Sequence, residues 1–299
     1  MSAILDALHS GRALLMDGAM GTELRRAGLP DGMYGETWNI TYPERVQAVH
    51  QAYAEAGADV LLANTFQAYS AAMTRFSGER FVSPSCEIDP AKQFLGPFIS
   101  EGKFTLLSVG PITEPPDPLE FPHLRQVALL AGYLRYYHWD PEPASGTLLE
   151  TCSTPRVRFA VSRLEWVGLP VLLSLTYQHN AKGKIVTLSG HKPEWFAQRA
   201  KHWGIAALGV NCGRDIDMDD IIEIIRRYRA VTDLPLFARP NAGTPRKQGD
   251  RWIYPYTPES MAARLPELLE AGVSMVGGCC GTTPEHIAAF RAVIDEWNQ

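Results

Sequence analysis

No apolar run in this chain reaches the roughly 18 residues that a membrane span needs. Basic residues are not in excess either: 28 Lys and Arg face 33 Asp and Glu, a net charge of −5. That balance draws the chain neither to nucleic acid nor to an anionic membrane. The densest basic run, Arg226, Arg227 and Arg229, reads as the solvated face of one helix. Cysteine is scarce. Five cysteines at irregular spacing in 299 residues exclude a disulfide framework. The first residues, MSAILDALHSGR, lack a basic start followed by a long apolar stretch, so no secretory signal is expected. Disorder is excluded by 45% apolar against 20% charged residues. A reduced, cytoplasmic enzyme is the class that survives.

What is present repeats. A short leucine-rich or β-branched run ends in Gly, Asn or Cys, and an amphipathic helical stretch follows. Candidate strands are Ala13–Asp17, Val60–Asn64, Thr105–Val109, Thr147–Glu150, Val171–Thr176, Ala207–Asn211, Leu236–Arg239 and Ser274–Gly277. Spread over 299 residues they give about 37 residues per unit, which suits a βα repeat of roughly 30 or more. The runs are continuously apolar rather than alternating, as in a parallel sheet covered on its outer face. Helices are expected at Pro43–Ala56, Asp219–Ala230, Pro258–Ala271 and Pro284–Trp297. Thr257 and Thr283 precede the last two as N-caps, and Gly57 and Gly272 stop the first and third. Residues Phe76–Lys103 carry weak periodicity and support no clear helix. PITEPPDPLEFP (Pro111–Pro122) holds five prolines and must be a loop. His179–Lys192 reads as a small excursion before the fifth helix. With no linker and no boundary, residues 1–299 read as one domain. The expected fold is α/β, a (β/α)₈ TIM-type barrel, with a doubly wound open sheet as the alternative.

In such a barrel the chemistry lies at the C-terminal ends of the strands. Those positions are Asp17-Gly18, Asn64, Gly110, Glu150, Thr176, Asn211-Cys212, Asn241 and Cys279-Cys280. Loops are polar anyway, which explains the asparagines. It does not explain three thiols. Adjacent side chains on a strand face opposite ways, so Cys279 and Cys280 converge only if the chain turns, as Gly277, Gly278 and Gly281 allow. Three thiolates suit Zn²⁺ with the fourth position open to substrate. The competing reading is three small buried hydrophobes. Cys86 and Cys152 read as structural, and His286, in the first turn of the last helix, as a surface residue.

The segments LLMDGAMGTEL (Leu14–Leu24), ANTFQA (Ala63–Ala68), SVGP (Ser108–Pro111), LLET (Leu148–Thr151), GVNC (Gly209–Cys212), RPNAG (Arg239–Gly243) and GGCCGTTPEHI (Gly277–Ile287) occur in this order. Together they resemble the homocysteine S-methyltransferase family from about residue 13 to the C-terminus. The resemblance implies a (β/α)₈ barrel that binds zinc through Cys212, Cys279 and Cys280 and methylates the thiol of homocysteine, giving methionine. It places Glu150 at the homocysteine amino group with Asp17 helping. The backbone from Gly18 to Gly21 would lie near the carboxylate. Asn64, Asn211 and Asn241 would fix loops or bond the substrate, with Asn211 supporting the Cys212 turn.

The methyl donor is the least determined part. An anionic zinc–thiolate centre attracts a sulfonium or quaternary ammonium, and aromatic faces hold such a cation. Trp38, Phe66 and Tyr69 follow the first two strand ends and are the candidates, with Tyr177 a weaker one. The chain has no room for a folate or cobalamin domain, so a small free donor is expected: S-methylmethionine, S-adenosylmethionine or a betaine. A separate corrinoid or folate carrier protein, and a homo-oligomer, are compatible with the sequence. The rival readings are another thiol acceptor, a phosphate-binding aldolase or isomerase barrel with GGCCGT as its anion loop, and a non-catalytic zinc or thiol sensor.

Overall fold

Side chains alternate in direction along a β-strand, and here that alternation sorts the apolar residues into two cores. The computed structural model describes residues 2–68, 85–110, 144–165, 168–249 and 251–299. The strands are β1 (Leu14–Leu15), β2 (Val60–Leu62), β3 (Phe104–Val109), β4 (Gly146–Cys152), β5 (Val171–Leu175), β6 (Ile205–Asn211), β7 (Leu236–Arg239) and β8 (Val273–Val276). From β2 onward each pairs in parallel with the next, and β8 pairs with β1. A parallel bridge between Met16 and Val60 joins β1 to β2. The amide of Asp17 donates to Val60 O at 2.9 Å and that of Asp59 to Leu15 O at 2.7 Å. The eight strands therefore form a nearly closed TIM-type barrel, and the open-sheet alternative is excluded.

One core fills the barrel. Met16, Leu62, Leu106, Leu148, Leu172, Ala207, Phe237 and Met275 form one buried cluster, which Ile4 and Leu8 of the N-terminal helix Ala3–Leu8 join. The neighbours Leu15, Leu61, Leu107, Leu149, Leu173, Leu208, Ala238 and Val276 belong to the second core, shared with the outer helices. A parallel strand covered on both faces needs apolar residues at both parities, which is why these strands read as unbroken apolar runs.

The outer helices are α1 (Pro43–Glu55), α2 (Ser85–Ser100), α3 (Val157–Leu164), α4 (Pro193–Ala200), α5 (Met218–Arg229), α6 (Pro258–Ala262), α7 (Leu265–Glu270) and α8 (Pro284–Trp297). In α5, Ile221, Ile222, Ile224, Ile225 and Tyr228 are buried, and Asp217 and Asp220 form a reciprocal capping box at its start. Such a cap contributes about 1 kcal/mol. Among the described residues no helix is long and apolar enough to cross a membrane.

Several expectations need correction. The stretch 76–103 does contain a helix, α2, which buries Ala91, Leu95 and Phe98 at i, i+4, i+7. The expected helix Pro258–Ala271 is two helices, with Pro266 in the first turn of the second. His286 is not a surface residue: it is buried, and its Nε2 lies 3.0 Å from Tyr256 O while Nδ1 takes the Thr283 amide at 3.2 Å. The basic run is only partly solvated. Arg227 binds both oxygens of Glu194 at 2.7 Å, and Arg229 donates to the Thr232 and Leu234 carbonyls. The excursion before α4 contains a two-stranded hairpin, Gln178–His179 with Ile185–Val186. The proline-rich segment Pro111–Pro122 lies outside the described residues.

Candidate active site

The strands that fill the barrel also build the site, one step further on. Two residues beyond the inner apolar layer, Leu106 gives way to Ser108, Leu148 to Glu150, Leu172 to Ser174 and Phe237 to Arg239. A polar layer therefore sits on the apolar plug at the C-terminal end of the barrel. Its centre is an ionic cluster. Arg239 Nη1 donates to Glu150 Oε2 at 2.8 Å, and Nη2 reaches Asp17 Oδ1 at 3.4 Å and Gly18 O at 3.3 Å. Asp17 Oδ2 takes the Leu62 amide at 2.7 Å, and the Ser108 hydroxyl donates to Glu150 Oε1. All three charged side chains are buried. Burial pushes the Asp17 carboxyl up to about 7, against the pull of Arg239 and the Leu62 amide. Burial likewise raises Glu150, again opposed by Arg239.

The thiols meet beside this cluster. Cys212 follows β6 in the left-handed conformation, with φ 55°. Cys279 and Cys280 follow β8, where the chain turns at Gly277. A Cβ there would lie 2.6 Å from Met16 Cβ and 2.8 Å from Asp17 O, so no side chain fits. The three sulfurs lie within 4.8 Å of one another. A tetrahedral metal with bonds of about 2.3 Å would hold its sulfurs roughly 3.8 Å apart, so the cluster fits Zn²⁺ after small side-chain movements. Asn241 Nδ2 lies 3.7 Å from Cys212 Sγ, and Asn211 Nδ2 lies 3.7 Å from Cys279 Sγ. Hydrogen bonds from the Cys279 and Cys280 thiols hold Cys212 down to about 3, and the two donors move up because they keep their protons.

Asn211 is the joint between these parts. Its Oδ1 accepts from the Ser174 hydroxyl at 2.6 Å and the Thr151 amide at 3.0 Å, and its Nδ2 donates to Thr151 Oγ1 at 2.9 Å. Thr151 has φ 58°, an outlier for a β-branched residue. Strain of this kind, about 1–3 kcal/mol per residue, gathers where a fold over-determines a functional turn.

A cavity of about 430 Å³ opens over this layer, within the roughly 300–1,000 Å³ usual for small-molecule sites. Asp17, Gly18, Asn64, Glu150, Cys212, Cys279 and Cys280 all line it, together with Phe66. Asn64 spends its Nδ2 on Gly35 O at 3.0 Å and Asn39 Oδ1 at 2.9 Å, so it ties the loop after β1 to the end of β2. Asn211 is fully buried and supports the wall without lining it. Trp38 is placed elsewhere. It is 2% exposed, its ring centroid is 5.1 Å from that of Tyr42, and Arg45 lies 4.9 Å from it, so it packs in the outer core. Tyr177 is also buried away from the cavity, its hydroxyl 2.7 Å from that of Tyr228. Tyr69 lies outside the described residues. Sequence reasoning missed Arg239, Ser108, Tyr254 and Tyr34 as lining residues. The first two were readable from the two-residue step along β7 and β3. Tyr254 and Tyr34 come from loops with no periodic signal.

A family model for homocysteine S-methyltransferase matches residues 14–294. Among solved structures, the metallated form of the homocysteine methyltransferase MmuM from Escherichia coli is similar at a TM-score of 0.72 and 21% identity, covering 97% of this chain and 98% of that one. Its apo form gives 0.66 at 21% identity, covering 96% and 97%. The carboxyl transferase domain of Rhizobium etli pyruvate carboxylase shares the fold at 0.54 and 15% identity, covering 98% of this chain and 48% of that one. With the family model spanning nearly the whole chain, this protein belongs to the homocysteine S-methyltransferase family.

Proposed function

We propose that this protein transfers a methyl group from a small onium donor to the sulfur of homocysteine, giving methionine, with Zn²⁺ held by Cys212, Cys279 and Cys280. The observation that carries the reading is the three-sulfur cluster beside two buried carboxylates at the rim of one cavity. Bound zinc supplies a Lewis acid that keeps the acceptor sulfur as a thiolate at neutral pH, where a free thiol of pKa about 8.5 is mostly protonated.

The chain's own residues bind and orient. Asp17 and Glu150 face the acceptor's ammonium group, and the backbone at Gly18 its carboxylate. Asn211 and Asn241 aim N–H groups at the Cys279 and Cys212 sulfurs, which spreads their negative charge. The acceptor's thiol proton goes to solvent. A sulfur lone pair then forms the new S–CH₃ bond in line with the bond that breaks, and that bond's electron pair stays on the donor's sulfur or nitrogen. Phe66, Tyr34 and Tyr254 line the cavity and offer aromatic faces to a donor cation, each worth roughly 0.5–2 kcal/mol. Positioning and electrostatics therefore carry the rate, with no general base required at the attacking sulfur. The free cysteines fit a reducing, cytoplasmic setting.

The test is methionine formation by zinc-loaded, reduced protein given homocysteine and, in turn, S-methylmethionine, S-adenosylmethionine, glycine betaine and methyltetrahydrofolate. Turnover with one of the cationic donors is the expected result. Turnover with methyltetrahydrofolate alone would overturn the donor class. Failure with every donor in a protein that holds zinc would overturn the reaction.

A further inference from the structure

We propose that Arg239 is the positioning residue that makes Asp17 and Glu150 a receptor for the acceptor's α-ammonium group, by neutralising one of two buried negative charges and leaving the other for the substrate. The proposal rests on the methyl-transfer reading above and assigns the source of its amino-acid selectivity.

Two carboxylates and one guanidinium meet at the end of the barrel, with side-chain exposures of 3%, 11% and 5% for Asp17, Glu150 and Arg239. With both carboxylates ionised the cluster carries a formal charge of −1. A bound α-ammonium brings it to zero. Without Arg239 the two carboxylates would repel each other across a low-dielectric site and lose the shared orientation that holds a cation between them. With a second guanidinium the cluster would be neutral already. Arg25, the other basic residue among those lining the cavity, is ion-paired with Asp31 and supplies no such charge.

Hydrogen-bond capacity agrees with the charge count. Among the described residues each oxygen of Asp17 and Glu150 accepts one bond: from Arg239 and the Leu62 amide on Asp17, and from Arg239 and the Ser108 hydroxyl on Glu150. A carboxylate has about four lone-pair sites, so both residues keep acceptor capacity for an ammonium. Both also line the cavity. Arg239 thus fixes the two carboxylates against each other from one side while their remaining lone pairs serve the substrate.

The experiment compares homocysteine with 4-sulfanylbutanoate, the same thiol acid without the amino group. Affinity is read by calorimetry on zinc-loaded, reduced protein, and kcat/KM is read with the active donor. The unaltered protein prefers homocysteine by roughly 10- to 150-fold, the range for a hydrogen-bonded charged group. Arg239→Met collapses that preference while zinc content stays at the unaltered level. Arg239→Lys retains part of it. The double variant Arg239→Met with Glu150→Gln restores the cluster charge to −1 and recovers part of the preference, and it decides the matter if the single variant fails to fold.

Equal losses for both acceptors in Arg239→Met would mean that Arg239 only supports the fold, and would overturn the proposal. So would an unchanged preference, or a double variant with none. Calorimetry separates this from the wider reading: absence of turnover with intact, preferential homocysteine binding sinks the reaction and leaves the receptor standing.

Discussion

Asn211, at the end of one strand, holds Thr151, at the end of another, through two hydrogen bonds: Thr151 N to Asn211 Oδ1 at 3.0 Å and Asn211 Nδ2 to Thr151 Oγ1 at 2.9 Å. Thr151 follows Glu150 and Asn211 precedes Cys212, so one amide side chain couples the carboxylate site to the sulfur site.

Asn211→Ala removes that coupling and leaves the Thr151 amide and the Ser174 hydroxyl without a buried partner. Each such group costs about 1–3 kcal/mol. The expected loss is roughly 2–4 kcal/mol in urea denaturation, with weaker zinc retention against a chelator. A change below about 0.5 kcal/mol, the level of an ordinary surface substitution, would show that Thr151 holds its turn unaided.

Cys212→Ala, and likewise Cys279→Ala or Cys280→Ala, abolishes stoichiometric zinc and methyl transfer while the far-ultraviolet circular dichroism is unchanged. The side chains lie above the apolar plug that holds the barrel together, so their loss leaves no core cavity. Metal analysis of each purified variant is the check, and full zinc content in Cys212→Ala would remove it from the ligand set.

Gly281→Ala strikes the same turn through its backbone. Gly281 has φ 84°, and a Cβ there would lie 2.1 Å from Cγ of Tyr254. The strain of a left-handed alanine and the displaced ring together cost about 1–3 kcal/mol. The variant is expected to unfold earlier in urea and to release zinc faster. Behaviour like the unaltered protein would mean that Tyr254 swings aside at no cost.

His50 makes stability depend on acid. It is fully buried in α1, neither ring nitrogen has a hydrogen-bond partner among the described residues, and burial lowers its pKa from 6.5 to about 4. The native state then binds fewer protons than the unfolded chain between these values, so stability is full above pH 6.5 and falls as pH drops toward 4. The shift corresponds to roughly 3 kcal/mol. His50→Leu should flatten this part of the stability profile. An equal slope in both proteins would place the acid sensitivity elsewhere.

Much of this was legible in the residues. The strands are apolar at both parities because both faces are covered, so Leu148-Leu149 and Leu172-Leu173 announce a parallel sheet wherever the chain is cut. Cys212 and Cys279-Cys280 stand at strand ends among glycines, and no packing argument asks for thiols there. The failures have local causes. Pro90, Gly96 and Pro97 masked α2, although Ala91, Leu95 and Phe98 carry its buried face. Trp38 follows the first strand closely in sequence, yet its ring packs with Tyr42 and Arg45 in the outer core, because adjacency to a strand end says nothing of direction. Arg239 looked like the last residue of a strand. Its side-chain partners are Asp17 and Glu150, 222 and 89 residues away, and only the barrel brings the three together.

The measurement that bears most directly on the central claim is X-ray absorption at the zinc edge of the reduced protein, without and with homocysteine. Three sulfurs and one lighter ligand, becoming four sulfurs when homocysteine is added, is the result expected of a three-thiolate centre that takes the acceptor's sulfur at its open position. Fewer than three sulfurs in the free protein, or an unchanged spectrum with saturating homocysteine, would contradict it.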